Sequence, residues 1–196
     1  HGVRPQQAVP AGRGWQELSQ VPGPSAPAEP VHPWRGLMLD SARTCWSVEV
    51  ICELIDLMAR YRLNRLHWHL TDDSGWRFAV PGYERLTEVG AQLPRPDYSW
   101  YANVLPAKRA EAAARARDIS TVGHYSAEQI AAVVEHAARQ GIEIMPEVDL
   151  PGHMAAAIRS YPELGDPRLV DVDPEDWGHP NDLLWPGQAA FDFLTA

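Results

Sequence analysis

Apolar positions along the chain fall into two periods. Trp34-Arg35-Gly36-Leu37-Met38-Leu39-Asp40 is a short apolar run closed by a polar residue, the pattern of a strand buried on both faces. Asn64 to Leu70 and Ile142 to Val148 read as a second and a third strand. Val48, Ile51, Leu54, Ile55 and Met58 recur instead mainly at steps of three and four, which places one apolar stripe on a helix. Ser47 is its expected N-cap, because a hydroxyl there accepts a bond from an otherwise unpaired first-turn N–H. A second helix is expected over Ser126 to Arg139, capped by Ser126, with Gly141 as its stop. Strand, helix, strand, helix, strand in this order predicts right-handed βαβ units and a parallel sheet.

Two segments depart from this rhythm. Residues 1–33 hold Pro5, Pro10, Pro22, Pro24, Pro27, Pro30 and Pro33 with little periodicity, and read as an irregular lead-in to a unit spanning 34–196. A long insertion separates Thr71 from Tyr125, and its Ala/Arg-rich stretch Ala107 to Arg117 predicts a short exposed helix. A closed (β/α)8 barrel takes eight strands and about 250 residues. Three strands therefore fit either a small open α/β sheet or a partial (β/α)8 barrel, its first three βα units truncated before the fourth strand. The helix start at Gln188 to Leu194, so close to Ala196, favours the truncated barrel.

Composition narrows the function. With 45% hydrophobic and 22% charged residues the chain can bury one sizeable core. A net charge of −9 argues against a surface that tracks nucleic-acid phosphates and suits a neutral or small polar substrate. No run approaches the roughly 18 apolar residues of a membrane span. Cys45 and Cys52 have the spacing of neither a zinc pair nor a redox pair; they read as packing residues and leave the compartment open.

Candidate chemistry gathers after the strands: Asp40 and Arg43 after the first, Asp72 and Asp73 after the second, Asp149 and His153 after the third. In a parallel barrel these ends converge on the face where active sites are built. A single Asp at a strand end usually caps a turn, whereas three successive ends with an Arg and a His favour a shared site. His67 and His69 lie on one side of their strand and form half of a possible metal site, with Asp149 or His153 as further ligands. The favoured alternative has both imidazoles buried and hydrogen-bonded beneath the site, because a metal centre needs open approach and ligands from later strands. Asp72 and Asp73 are not the facing carboxylates of a two-carboxylate glycosidase, since neighbours leaving a strand point to opposite sides and at most one faces the pocket. Trp34, Trp46, Trp68 and Trp76 suit either the apolar side of a sugar ring or ordinary packing.

Three blocks carry a resemblance. Trp34 to Arg43, Leu63-Asn64-Arg65-Leu66-His67-Trp68-His69-Leu70-Thr71-Asp72-Asp73-Ser74-Gly75-Trp76-Arg77, and Pro146-Glu147-Val148-Asp149-Leu150-Pro151-Gly152-His153 are similar to successive motifs of the β-N-acetylhexosaminidases of glycoside hydrolase family 20. The likeness continues through Tyr161-Pro162-Glu163-Leu164 and Pro186-Gly187. It implies a (β/α)8 barrel that removes terminal N-acetylglucosamine or N-acetylgalactosamine from β-linked glycans with retention, without metal or cofactor. The substrate's own acetamido oxygen is the nucleophile, an exception to the two-carboxylate scheme. By resemblance Arg43 holds hydroxyls of the terminal sugar, Asp149 orients that arginine, and Asp72 and His153 belong to the network that tunes the acid/base Glu. The family's Gly-Gly-Asp-Glu segment after the fourth strand supplies that Glu and the Asp that steers the acetamido group. The chain contains no Asp-Glu dipeptide, so no catalytic pair is expected within it, and activity is expected of a longer parent. Thr44-Cys45-Trp46 stands where the family has a His and aromatics. A metal-dependent barrel hydrolase using His67 and His69 and a non-catalytic glycan-binding fragment are the alternatives.

Overall fold

The computed structural model describes residues 30–92, 122–169 and 182–195. Three parallel strands, β1 (Gly36–Asp40), β2 (Arg65–His69) and β5 (Glu143–Glu147), form one sheet with β2 at its centre. The expected helix and strand order is present: α1 (Val48–Arg60) joins β1 to β2, and α3 (Ala127–Arg139) precedes β5. Between them lie a two-residue antiparallel pair, β3 (Thr71–Asp72) and β4 (Gly75–Trp76), and the short helix α2 (Arg85–Glu88). Two further helices follow, α4 (Ala155–Ser160) and α5 (Gln188–Leu194). The helix expected at Ala107 to Arg117 and the lead-in up to residue 29 lie outside the described residues.

Local chemistry explains the boundaries. Ser47 accepts a bond from the Val50 amide and starts α1. Ser126 and Gln129 bond reciprocally to each other's backbone in a capping box at the start of α3. Both helices end by one device. Arg62 (φ 60°) and Gly141 (φ 70°) turn left-handed, and the next amides, of Leu63 and Ile142, bond back to the carbonyls of Met58 and Ala137. The chain then enters the following strand.

Ile51, Leu54, Ile55 and Met58 of α1, with Val133 and Ala137 of α3, bury Leu66 and Trp68 of β2. A second core gathers Trp76, Leu86, Met154, Ile158, Leu164 and Phe193 under α4 and α5. One expectation fails here: β1 is not buried on both faces. Leu37, in register with Leu66 on the helix side, and Met38, on the opposite side, are 38% and 48% exposed, because β1 is an edge strand of the described sheet. Trp34, beyond the strand, is exposed and lies under the Arg65 guanidinium, 5.0 Å from ring centre to carbon. Cys45 and Cys52 are free and partly buried.

Candidate functional site

The register places Asp40, His69 and Glu147 side by side at the C-terminal ends of β1, β2 and β5. The Asp40 carboxylate accepts the backbone amide of Arg43 (3.0 Å) and one of its guanidinium nitrogens (2.8 Å), which folds the loop after β1 back on itself. The other terminal nitrogen of Arg43 lies 2.5 Å from Asp72 Oδ2, and the Arg43 side chain remains 38% exposed at the mouth of this cluster. Asp72 is buried, and the same oxygen lies 3.2 Å from His69 Nε2. His153 Nδ1 stands 2.9 Å from Asp73 Oδ2 and 3.7 Å from Asp72 Oδ1. Asp73 also accepts the Ala155 amide at the start of α4, so this one carboxylate joins the loops after β3 and β5. His153 itself takes a left-handed backbone, φ 57°, which a non-glycine residue adopts rarely and chiefly at constrained sites.

Asp72 and Asp73 therefore both reach His153, contrary to the expectation that only one faces the site. The strict alternation of a strand ends at Asp72, where the chain turns between β3 and β4. His67 is a second departure. Its side chain is 42% exposed rather than buried, and its Nε2 lies 2.6 Å from Glu147 Oε2, the oxygen that is also 2.9 Å from His69 Nδ1. Asp149 sits beside this group: its amide donates to Thr71 Oγ1, and a carboxyl oxygen lies within 4.8 Å of the Glu147 carboxylate and of His69. Asp40 and Asp72 are thus carboxylates on Arg43, while Asp149 is held against Glu147.

The surrounding charges shift these groups in opposite directions. Burial opposes ionisation of Asp72, but His69, Arg43 and His153 outweigh it and hold the carboxyl below its usual range. His69 is raised by its bond to Asp72, with Asp40, Glu147 and Asp149 adding to the effect against burial. His153 is raised chiefly by Asp73. Burial and the bond to Glu147 push Asp149 upward. Two triads have metal-ligand chemistry, His69 with Glu147 and Asp149, and Asp72 with Asp73 and His153, each with ligand atoms within 4.8 Å of one another. In both, imidazoles already lie against carboxylates at ion-pair distance, so charge is compensated from within.

Sequence reasoning marked Asp73 among the strand-end carboxylates without a role of its own, and assigned none to Glu147 or Arg77. Glu147 ends its strand on the row of His69, a fact of register that no local pattern carries. Arg77 is fully buried and donates to main-chain carbonyls, whereas the pattern of a polar residue after a strand suggests exposure.

Parallel strands, helices packed on one side and a charged cluster at the strand ends define an α/β protein of the class that builds its sites on strand C-termini. The family model for "Glycosyl hydrolase family 20, catalytic domain" matches residues 32–196, and the chain belongs to that family. It is 35% identical over 182 residues to a beta-hexosaminidase of Porphyromonas gingivalis, covering 89% of this chain and 20% of that protein. An N,N'-diacetylchitobiase of Vibrio harveyi is 36% identical over 145 residues, covering 74% of this chain and 16% of that protein. Among solved structures, the β-N-acetylhexosaminidase of Streptomyces coelicolor superposes with a TM-score of 0.65 at 30% identity, over 84% of this chain and 29% of the other. The chain spans about a fifth of the length of the curated relatives it matches.

Proposed function

We propose that this chain supplies the sugar-holding opening of a β-N-acetylhexosaminidase barrel, its first three βα units, with residues 34–196 forming that part and 1–33 a lead-in. The carrying observation is Arg43 pinned between Asp40 and Asp72 at the mouth of the strand-end cluster, within the residues that match the family. A rigid guanidinium offers several donors in a fixed plane, which suits adjacent hydroxyls of a pyranose. Asp72 and His153, with Asp73 between His153 and α4, form the network that tunes an acid/base Glu contributed by the rest of the enzyme. Asp149 supports the arginine side of the pocket through Glu147 and His69.

The substrate class is a β-linked glycan ending in N-acetylglucosamine or N-acetylgalactosamine, and its own acetamido group serves as nucleophile. The Vibrio harveyi exo-β-N-acetylglucosaminidase, which shares 34% identity and a TM-score of 0.63 over 85% of this chain, was solved with N-acetylglucosamine bound. A full-length family-20 enzyme carrying this segment is expected to hydrolyse an aryl N-acetyl-β-glucosaminide equally well with and without chelator. Loss of turnover on chelation would transfer the reading to a metal-dependent hydrolase using His67 and His69. Sugar binding without any turnover would favour a glycan-binding module.

A further inference from the structure

We propose that Arg77 is a positioning residue for the sugar-holding arginine: its guanidinium fixes the two peptide groups that immediately precede Arg43. The proposal rests on the functional reading above. Arg77 is fully buried. Its Nε donates to the Ser41 carbonyl (2.9 Å) and one Nη to the Ala42 carbonyl, while the other Nη donates to the carbonyls of Gly123 (2.8 Å) and Ala91 (3.3 Å). No carboxylate pairs with it at salt-bridge distance among the described residues.

A guanidinium buried with no described carboxylate at ion-pair distance is costly, and a hydrocarbon side chain of similar volume fills the same space at lower cost. What a hydrocarbon cannot do is hold two successive carbonyls in one plane. The rest of the turn is fixed from its other sides. The amides of Ser41 and Ala42 bond the His69 carbonyl at 2.9 and 3.2 Å, and Ser41 Oγ accepts from Trp68 Nε1 (2.8 Å) and Tyr125 OH (3.1 Å). With Arg77 on the carbonyls, neither peptide can rotate, and the backbone of Arg43 is delivered to Asp40 and Asp72 in one orientation. Gly75 makes the space: a Cβ there would lie 2.2 Å from Arg77 Nη2 and 2.8 Å from the Ala42 carbonyl. The Ala91 and Gly123 carbonyls tie the same guanidinium to the two ends of the segment 92–122, whose neck is closed by the Gly123 amide on Ala91.

Misplacing a substrate-contacting group by about 1 Å can lower rates on the order of 100-fold. The test is Arg77→Lys in a full-length family-20 enzyme carrying this segment, alone and combined with Arg43→Lys. A single ammonium nitrogen cannot take the three separate positions from which the guanidinium nitrogens donate. Arg77→Lys is expected to lower kcat/KM for an aryl N-acetyl-β-glucosaminide at least tenfold with an unchanged circular-dichroism spectrum. In the Arg43→Lys background it should cost less than threefold, because its effect runs through Arg43. Equal fold-losses in both backgrounds, or a folded Arg77→Lys enzyme within threefold of the parent, would overturn the proposal. If the variant does not fold, the unmodified enzyme labelled with 15N-arginine decides: the protected Arg77 Nε–H resonance should shift on saturation with N-acetylglucosamine, and a resonance that stays put overturns it. A parent enzyme without turnover removes the functional reading and this role together, whereas an active parent with an uncoupled Arg77 removes this role alone.

Discussion

The two faces of the three-stranded sheet are written by alternate residues of the same strands, yet they obey different rules. On the helix side Leu66 and Trp68 are 0% and 1% exposed within the apolar cluster of α1 and α3, and the Trp68 indole donates to Ser41. On the other side Met38, His67 and Met145 form one row, and Asp40, His69 and Glu147 the next. The first face is closed by α1 and α3. The second is settled by charge, each imidazole or guanidinium lying against a carboxylate. Packing tolerates no loss of volume, and the charged face tolerates no loss of geometry; a substitution on either face tells which rule holds there.

The largest effect is expected on the helix side. Trp68→Ala removes the ring that packs 5.0 Å from Tyr125 and the donor on Ser41, and should cost about 3–5 kcal/mol in urea unfolding, the range for large aromatic truncations in a core. A loss below about 1 kcal/mol would mean that the helix side is not the core.

Next comes the charged face. Arg43→Lys in a full-length enzyme carrying this segment should cost on the order of 2–3 kcal/mol in transition-state stabilisation, read from kcat/KM, because one ammonium replaces a fork held by Asp40 and Asp72. A drop of less than threefold would remove Arg43 from the sugar site.

That difference between faces also explains what could be read in advance. The stripe on α1, the capping serines Ser47 and Ser126, Gly141 and the order of elements rest on local periodicity and backbone chemistry, and these were legible. Arg43, Asp72 and His153 were found by position, after strands, and the structure brings them together around Asp72. Glu147 and Arg77 depend on register between distant strands and on carbonyls from three separate loops, which no window of sequence contains. The double reach of Asp72 and Asp73 escaped for a related reason: alternation holds inside a strand and fails at the first turn beyond it. The exposure of β1 follows from what covers the sheet, a property of neighbours rather than of the apolar run itself.

The smallest effect expected is on the pH dependence of stability. Asp72 lies below its ordinary value, so its contribution is complete above the unfolded carboxylate range, about pH 4, and is lost as pH falls through the lowered value. His69 and His153 lie above theirs, so their contribution is complete below about pH 6.5 and is lost as pH rises through the raised values. Urea midpoints measured across the range should therefore fall at both ends. Asp72→Asn should flatten the acid limb, and His153→Asn should weaken the alkaline one. An alkaline limb unchanged in His153→Asn would show that His153 carries no charge in the folded protein.

On the proposed reading these residues hold the sugar but do not supply its acid. The direct measurement is hydrolysis of an aryl N-acetyl-β-glucosaminide by the purified 196-residue chain beside a version extended through the later strands of a family-20 barrel. General acid catalysis contributes about 10²–10⁴-fold and orientation of the acetamido nucleophile a further proximity effect. Chelator-insensitive turnover is expected of the extended protein and none of the short chain. Metal-independent turnover by the short chain at a rate near that of the extended one would contradict it, since the acid and the orienting carboxylate would then lie among the residues present here.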